Sequence, residues 1–433
     1  MIQPSILPGM MELLPEDQIL FNKIKSTIED TFKKYAFYPL DTPIMEKMDI
    51  LLAKGGGETQ KQIYRLDKKK PEIGLRFDLT VPLARYVAQY FSELNFPFRR
   101  YHIGKVYRGE RNQKGRYREF YQCDVDIIGH NNLAVGNDAE IPTVMAEIFE
   151  KLNLDYIFHY NNRKVMNGYL SSLGISDYTP ILRAIDKMHK IGQEAVRDEF
   201  LNEGLEEQQI EGIFKLMSIQ GENEGILEEL KSLEVSDDLF SEGVKELEVV
   251  YRKMLLFGID KDRIKIDLSI TRGLDYYTGS VFETFLVGHE EIGSICSGGR
   301  YDDLASNYTK QVLPGIGLSI GLTRLFYQLK EESLIKIEGQ HPTDVLILPM
   351  EGYEDHGIEV LNKLRHHGII GQIYLEGGKM KKQFSYANNI KVPYVIIIGE
   401  DEAKNKAYSF KNMETGKQTT ESLDSIRNKI VKQ

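Results

Sequence analysis

The sequence is poor in cysteine: Cys123 and Cys296 are the only two in 433 residues. Two thiols cannot make a disulfide framework or a four-thiolate metal site. Long apolar runs are also missing, and no stretch approaches the length that spans a bilayer. The N-terminus, MIQPSILPGMMELLPEDQ, lacks the basic segment followed by an apolar one that marks a secretory signal. No low-complexity tract interrupts the chain, and a composition 41% hydrophobic and 28% charged is that of a soluble globular protein. These absences lead to the expectation of a reduced, cytoplasmic protein with no membrane partner. The length favours two or more domains, each with enough chain for a core.

A net positive charge is lacking too, the formal balance being -10. The acid is unevenly spread. Residues 193–249 hold 17 acids and 4 bases, a net of -13, so the remainder sums to about +3. An anionic partner is therefore not excluded. Against this background Arg99 to Arg118 carries eight Lys or Arg and a single acid, Glu110. The flanking runs HIGKVYRG and REFYQCDVDIIG alternate apolar and polar residues, which predicts two β-strands. The middle, RNQKGRY, reads as a loop. The expected object is an antiparallel hairpin with its arginines on one face and a cationic tip. Arginine forks match phosphate oxygens bidentately, and strands hold them more rigidly than loops do. A solvated basic hairpin is the plain alternative. Glu110, Gln122, Asp124 and Asp126 on the same strands weigh against it, because interleaved cations and carboxylates suit a substrate pocket.

Residues 17–35 place Ile19, Leu20, Ile24, Ile28 and Phe32 at helical spacing. FYPLDTPIMEK, with Pro39 and Pro43, is then extended and suited to a sheet edge. Gly55, Gly56 and Gly57 read as a turn, since no strand and no Lys-Ser/Thr frame them as a phosphate loop. Ile63–Leu66 and Ile73–Asp78 are expected to pair around DKKKP. Asp78 and Thr80, two apart at a strand end before a helix near Pro82, can hold an ammonium or cap that helix. Residues 134–152 read as a helix and 156–161 as a strand. From Pro180 to about Met254 the pattern is helical and acidic, an inserted lobe.

Sheet alternation resumes at Ile264, where Gly273 stands beside Arg272, followed by Tyr276 and Tyr277. CSGGRYDDL follows, its two glycines giving room for a flat ligand. PGIGLSIGLTRLF reads as a strand entering a helix with Arg324 projecting, and its glycines do not match the dinucleotide fingerprint. Residues 331–341 form a linker. Beyond it, strands and helices alternate as β-α-β-α-β, a small α/β domain.

Together these segments resemble the class II aminoacyl-tRNA synthetases, and within them the histidyl-tRNA synthetase family. FYPLDTPIMEK is similar to motif 1 of the class, the central hairpin to motif 2 and PGIGLSIGLTRLF to motif 3. TRGLDYYTG and SGGRYDDL are similar to the histidine signatures. The resemblance spans the whole chain. It implies an α+β catalytic domain over 1–330 with a mainly antiparallel sheet of six to seven strands and a helical insertion at about 175–255. It further implies a C-terminal α/β anticodon-binding domain over 341–433. The activity implied is histidine–tRNA ligation through a histidyl-adenylate, with ATP as substrate, Mg²⁺ on the phosphates rather than in a tight protein site, tRNA(His) as acceptor, and a homodimer built by motif 1.

Carried over residue by residue, the resemblance gives catalytic roles to Arg108, Arg272 and Gln122. Asp78, Thr80 and Gln122 would take the substrate ammonium. Asp126 and Tyr277 would hydrogen-bond the imidazole, with Tyr276 and Tyr301 lining the same pocket. Arg108 and Arg272 would flank the α-phosphate and the histidine carboxylate. Glu110 and Arg116 would contact adenine and the outer phosphates, with Phe120 and Arg324 on either face of the purine. Asp78 stands where many bacterial members carry Glu. Gln113, with Lys114, would approach the extra 5′ guanosine of tRNA(His).

Two other classes of function compete with the ligase. One is an inactive paralogue serving as regulatory subunit of ATP phosphoribosyltransferase, but such proteins usually lack the C-terminal domain and parts of the histidine signature. The other is an RNA-binding sensor fused to another enzyme, disfavoured because no further domain is present. Lys379, Lys381 and Lys382 are candidate tRNA phosphate contacts, with solvated lysines as the alternative. Replacing all three is expected to weaken tRNA binding and flatten its salt dependence in a filter-binding titration; unchanged binding at every salt concentration would remove them from the interface.

Overall fold

The structure, a computed structural model, describes residues 2–53, 57–67, 70–110, 115–271, 277–303, 305–335 and 342–431. Its contacts divide into two units, Met1–Glu12 with Asn22–Ile335, and Leu13–Phe21 with Lys336–Gln433. In chain order the early elements are α1 (Pro15–Lys34), β1 (Tyr38–Pro39), β2 (Met45–Lys47), α2 (Met48–Leu52), α3 (Gly57–Gln62) and β3 (Ile73–Leu75). The central ones are α4 (Thr80–Gln89), β4 (Phe98–Tyr107), β5 (Glu119–Ile128), α5 (Asn137–Lys151), β6 (Tyr156–Asn162) and α6 (Arg163–Ser172).

Five helices follow: α7 (Tyr178–Ile191), α8 (Gln193–Asn202), α9 (Glu207–Met217), α10 (Asn223–Ser232) and α11 (Asp238–Leu256). They occupy the stretch whose acidic, helical pattern marks it off in the sequence. Asp237 starts α11 by accepting the Phe240 N–H at 3.0 Å, and Phe240, Val244, Leu247, Val250, Tyr251 and Met254 bury one face of that helix. The sheet resumes with β7 (Ile264–Ile266), β8 (Ser280–Leu286), β9 (Cys296–Tyr301) and β10 (Gly315–Ile320), before α12 (Leu322–Glu331).

The large sheet has the order β1-β4-β5-β10-β9-β8-β6-β7. Its interior pairs are antiparallel. The eight strands exceed the six to seven expected. The surplus lies at the edges, where two-residue β1 and three-residue β7 pair parallel with β4 and β6. Strands so short show no alternation to detect. The pairing expected between 63–66 and 73–78 is present as an antiparallel Arg65–Gly74 bridge, with the Leu66 N–H on the Ile73 carbonyl and the Leu75 N–H on the Tyr64 carbonyl, while the other edge of β3 pairs with β2. Gly55 and Gly56 lie outside the described residues.

In the second unit β11 (Val345–Pro349), α13 (Glu354–His366), β12 (Gly371–Ile373), α14 (Met380–Asn389) and β13 (Tyr394–Ile398) alternate, followed by α15 (Glu400–Asn405), β14 (Ala407–Asn412), β15 (Gln418–Ser422) and α16 (Leu423–Val431). The sheet is mixed, β12-β11-β13 parallel and β14 and β15 antiparallel. Ile396 and Ile398 bury into one layer with Val345 and Ile347, Val395 and Ile397 into the other with Leu346 and Leu348. A strand covered on both faces reads as a continuous apolar run.

In the first unit α5 lies on β5 and β10. It is tied to the sheet by an ion pair between buried Asp138 and Arg300 of β9, 2.6 Å apart. Arginine in SGGRYDDL is thereby a structural residue. Asp138→Ala strands a buried guanidinium and is expected to cost about 3–5 kcal/mol in urea unfolding, whereas Asp138→Leu with Arg300→Met recovers most of that loss. A single-variant cost below about 1 kcal/mol, the value of an exposed pair, would contradict this account.

Candidate active site

The central hairpin pairs Arg100 with Asp126, His102 with Asp124, and Gly104 with Gln122. Because β-strand side chains alternate, Phe120, Gln122, Asp124 and Asp126 share one face of β5. That face, with β8, β9 and β10, floors a cavity of about 450 Å³, within the range of small-ligand sites. Asp78 and Thr80 border it from the start of α4, and Gly321 and Arg324 from the start of α12.

One part of the lining is cationic. Arg108 donates from Nε to the Phe77 carbonyl at 3.0 Å, and its guanidinium carbon lies 5.1 Å from the Phe120 ring centre. Arg324 donates to the Ile292 carbonyl at 2.6 Å. Burial, then the neighbouring Arg116, lowers the Arg324 pKa from its ordinary value. Arg116 in turn lies 3.5 Å from Glu110. Guanidiniums held close together and partly desolvated favour a polyanion.

The other part is carboxylate. Asp78 accepts the Val81 N–H through Oδ1 at 3.1 Å and so satisfies a first-turn donor of α4 from the residue before its N-cap, Leu79; the helix starts at Thr80, two residues before Pro82. It also lines the cavity. Burial pushes its pKa up to about 6, against the pull of the Val81 N–H and Arg108. Asp126 lies one layer behind the lining, 2.7 Å from Arg100 Nη2 and accepting the Tyr301 hydroxyl at 2.7 Å. Burial raises its pKa as well, with Arg100 the main opposing influence.

Close backbone approach makes room for this layer. A Cβ on Gly317 would stand 2.1 Å from Asp126 Oδ1, and one on Gly315 2.3 Å from the Tyr301 ring. Gly298 and Gly299 have a second purpose beside giving space to a ligand. Their missing side chains let β9 lie against β10 and β8, since a Cβ would meet the Gly317 and Ser280 carbonyls.

Of the residues singled out from sequence, Asp78, Thr80, Arg108, Glu110, Arg116, Phe120, Gln122, Tyr277 and Arg324 all line the one cavity. Tyr301 packs with Leu83, Val87 and Ile128 and reaches the site through Asp126. Arg272, Tyr276, Gln113 and Lys114 lie outside the described residues. Lys379, Lys381 and Lys382 are exposed at the start of α14 in the second unit.

The expectation that the hairpin arginines share a face is corrected. Arg99 pairs with Glu140 of α5 at 2.6 Å and lies over Phe37, whereas its neighbour Arg100 points to the opposite face and Asp126. Sequence reasoning grouped them by charge and missed Arg100 as an internal partner. Phe282, Glu283 and Ser319 also line the cavity without having been singled out. Only Ser319 left a signal, being two residues from both Gly317 and Gly321 in a run where glycines alternate with Ile and Leu.

Comparison with known proteins agrees with this geometry. A family model described as histidyl-tRNA synthetase matches residues 9–325, and one described as an anticodon binding domain matches 344–433. The histidine–tRNA ligase of Finegoldia magna is 55% identical over 431 residues, 99% of this chain and 100% of that protein. That of Clostridium tetani is 54% identical over 433 residues, 100% of this chain and 98% of that one. The crystal structure of histidyl-tRNA synthetase from Nostoc sp. superposes with a TM-score of 0.91 at 36% identity, each chain covered completely. With the same motifs converging on one cavity and relatives matching from end to end, the chain belongs to the histidyl-tRNA synthetase family.

Proposed function

We propose that this chain is a histidine–tRNA ligase. The observation that carries the reading is a single cavity with guanidiniums from Arg108, Arg116 and Arg324 and carboxylates from Asp78 and, one layer behind, Asp126. Such a site suits a nucleotide triphosphate beside an amino acid.

In the reaction, a carboxylate oxygen of histidine attacks the α-phosphorus of ATP and the bond to pyrophosphate breaks, leaving histidyl-adenylate. A terminal ribose hydroxyl of tRNA(His) then attacks the acyl carbon, and AMP leaves. Arg108 and Arg272 stabilise the charge that develops at the α-phosphate. Gln122, Asp78 and Thr80 orient the ammonium so that the carboxylate faces phosphorus. Asp126 and Tyr277 recognise the two imidazole nitrogens, which rejects side chains lacking them. Phe120 and Arg324 enclose the adenine, with Glu110 and Arg116 at its edge and at the outer phosphates.

ATP enters as its Mg²⁺ complex, the ion neutralising phosphate charge. Glu110 and Glu283, oxygen donors that line the cavity, fit it. Gln113 and Lys114 would meet the acceptor end of tRNA, and the second unit, with Lys379, Lys381 and Lys382, its anticodon. We assign the chain to the cytoplasm; no helix among the described residues is long and apolar enough to cross a membrane.

A homodimer built on β1 and β2 is part of the proposal, supported by Tyr38 and Met45, 68% and 59% exposed there. Light scattering should then return twice the mass of the chain, and a monomer would remove this element. The regulatory-subunit reading is less supported. The Bacillus halodurans structure described as regulatory subunit or synthetase shares 22% identity at a TM-score of 0.75, a likeness of fold alone.

The primary test is histidine-dependent exchange of pyrophosphate into ATP. Wild type should exchange robustly, and Arg272→Ala should lose about 10²–10³-fold in rate with unchanged unfolding midpoint. No exchange from folded protein that binds histidine would favour the regulatory subunit.

A further inference from the structure

Asp124 has no role so far, although it lines the cavity between Gln122 and Asp126. It is 3% exposed. Among the described residues nothing hydrogen-bonds its Oδ1, and the same holds for Asp78 Oδ2 and Gln122 Oε1. Two of these side chains are anchored by their other polar atom. Asp78 Oδ1 is held by the Val81 N–H, and Gln122 Nε2 donates to Ser319 Oγ at 3.1 Å. Ser319 also favours the ionised form of Asp124. Three acceptors therefore remain for one cavity wall. Buried acceptors without donors are costly unless something supplies the donors. An ammonium group carries three.

The surrounding charges agree. Facing Asp124 are Arg100 and His102 of β4, Asp126 of its own strand, Ser319 of β10, and Asp78. Arg100 is engaged with Asp126. His102 is neutral, since burial, Arg100 and Arg76 push its pKa down to about 3. Arg108, more than Arg100, favours the ionised form of Asp78. One internal guanidinium thus serves both Asp124 and Asp126. Burial first, then the repulsion of Asp126 and Asp78, holds Asp124 up to about 7 despite Arg100.

We infer that Asp124 joins Asp78, Thr80 and Gln122 in the ammonium subsite, its Oδ1 receiving one of the three N–H donors of the substrate amino acid. This rests on the reading of the chain as a histidine ligase. A bound cation favours the ionised carboxylate, so binding releases the proton that Asp124 carries near neutral pH in the free protein. Affinity therefore falls as pH drops below about 7, where the protonated acid must first give up its proton.

Calorimetry on the full chain with two probes tests this. Histidinol keeps the ammonium and imidazole of histidine, and imidazolepropionate keeps the imidazole and carboxylate but has no ammonium. Asp124→Asn keeps the shape and removes a buried charge, so folding is retained. The variant should bind histidinol roughly ten- to a hundred-fold more weakly and imidazolepropionate as wild type does. Wild type should release protons on binding histidinol near pH 7, as seen by comparing buffers of different ionisation heat, and the variant fewer. Equal weakening of both probes, unchanged histidinol affinity, or proton release identical in the two proteins would each overturn the inference. Wild type that binds neither probe would instead sink the ligase reading itself.

Discussion

Arg100 is fully buried on β4, 2.7 Å from Asp126 of the neighbouring strand β5, and the lining behind the cavity is built around that pair. A charge so placed costs several kcal/mol in desolvation unless a partner and hydrogen bonds offset it. Asp126 is the partner, and Tyr301 completes its shell with a hydroxyl donor. The arrangement requires two positions on β10 to have no side chain at all. Gly317 yields to the Asp126 carboxylate and Gly315 to the Tyr301 ring, each at a distance where no Cβ could stand. Register therefore becomes chemistry, because a one-residue slip between β5 and β10 would put Leu318 against the carboxylate. The position of the Asp126 carboxylate is therefore set by strand pairing, not by loop conformation.

Residues 76–80, RFDLT, connect the cationic and anionic parts of the cavity. Arg76 is buried, donating from Nε to the Lys105 carbonyl and lying 3.4 Å from Asp41. The next carbonyl, that of Phe77, orients Arg108. Asp78 then accepts a first-turn N–H of α4 with one oxygen, and the other is buried with no hydrogen-bond partner among the described residues. The Arg108 guanidinium and the Asp78 carboxylate are thus positioned by adjacent peptide units. Their separation is governed by covalent geometry and one helix start, which is stiffer than any pair of loops.

The hairpin, the inserted helices and the C-terminal α/β unit were legible because each carries a repeating period. Alternation over ten residues marks β4 and β5, and a long helical period marks α7 to α11. Edge strands β1 and β7 were not, since two or three residues contain no period. The Arg100–Asp126 pair was also hidden. It joins residues across the hairpin, and cross-strand partners follow only from register, which the loop at the tip determines and composition does not. Grouping Arg99 with Arg100 by charge ignored the pleat that sends neighbours to opposite faces. Nine of the residues singled out from sequence nonetheless line the same cavity, because motif resemblance carries register implicitly.

Asp78 shows why weighing a structural reading against a functional one can pose a false choice. A carboxylate has two oxygens, and here Oδ1 takes a first-turn N–H of the helix while Oδ2 is buried with no hydrogen-bond partner among the described residues. The helix contact fixes the second oxygen, so the structural role does not use up the side chain. Gln122 repeats the pattern with its amide: Ser319 takes the nitrogen and thereby directs the oxygen outward. In both cases the second hydrogen-bonding atom of a forked side chain fixes the first, and the site is preorganised without further residues. Forked polar side chains at strand ends and helix starts, anchored at one tip and buried without a partner at the other, are accordingly where, among the described residues, this cavity keeps hydrogen-bonding capacity that the chain itself does not use.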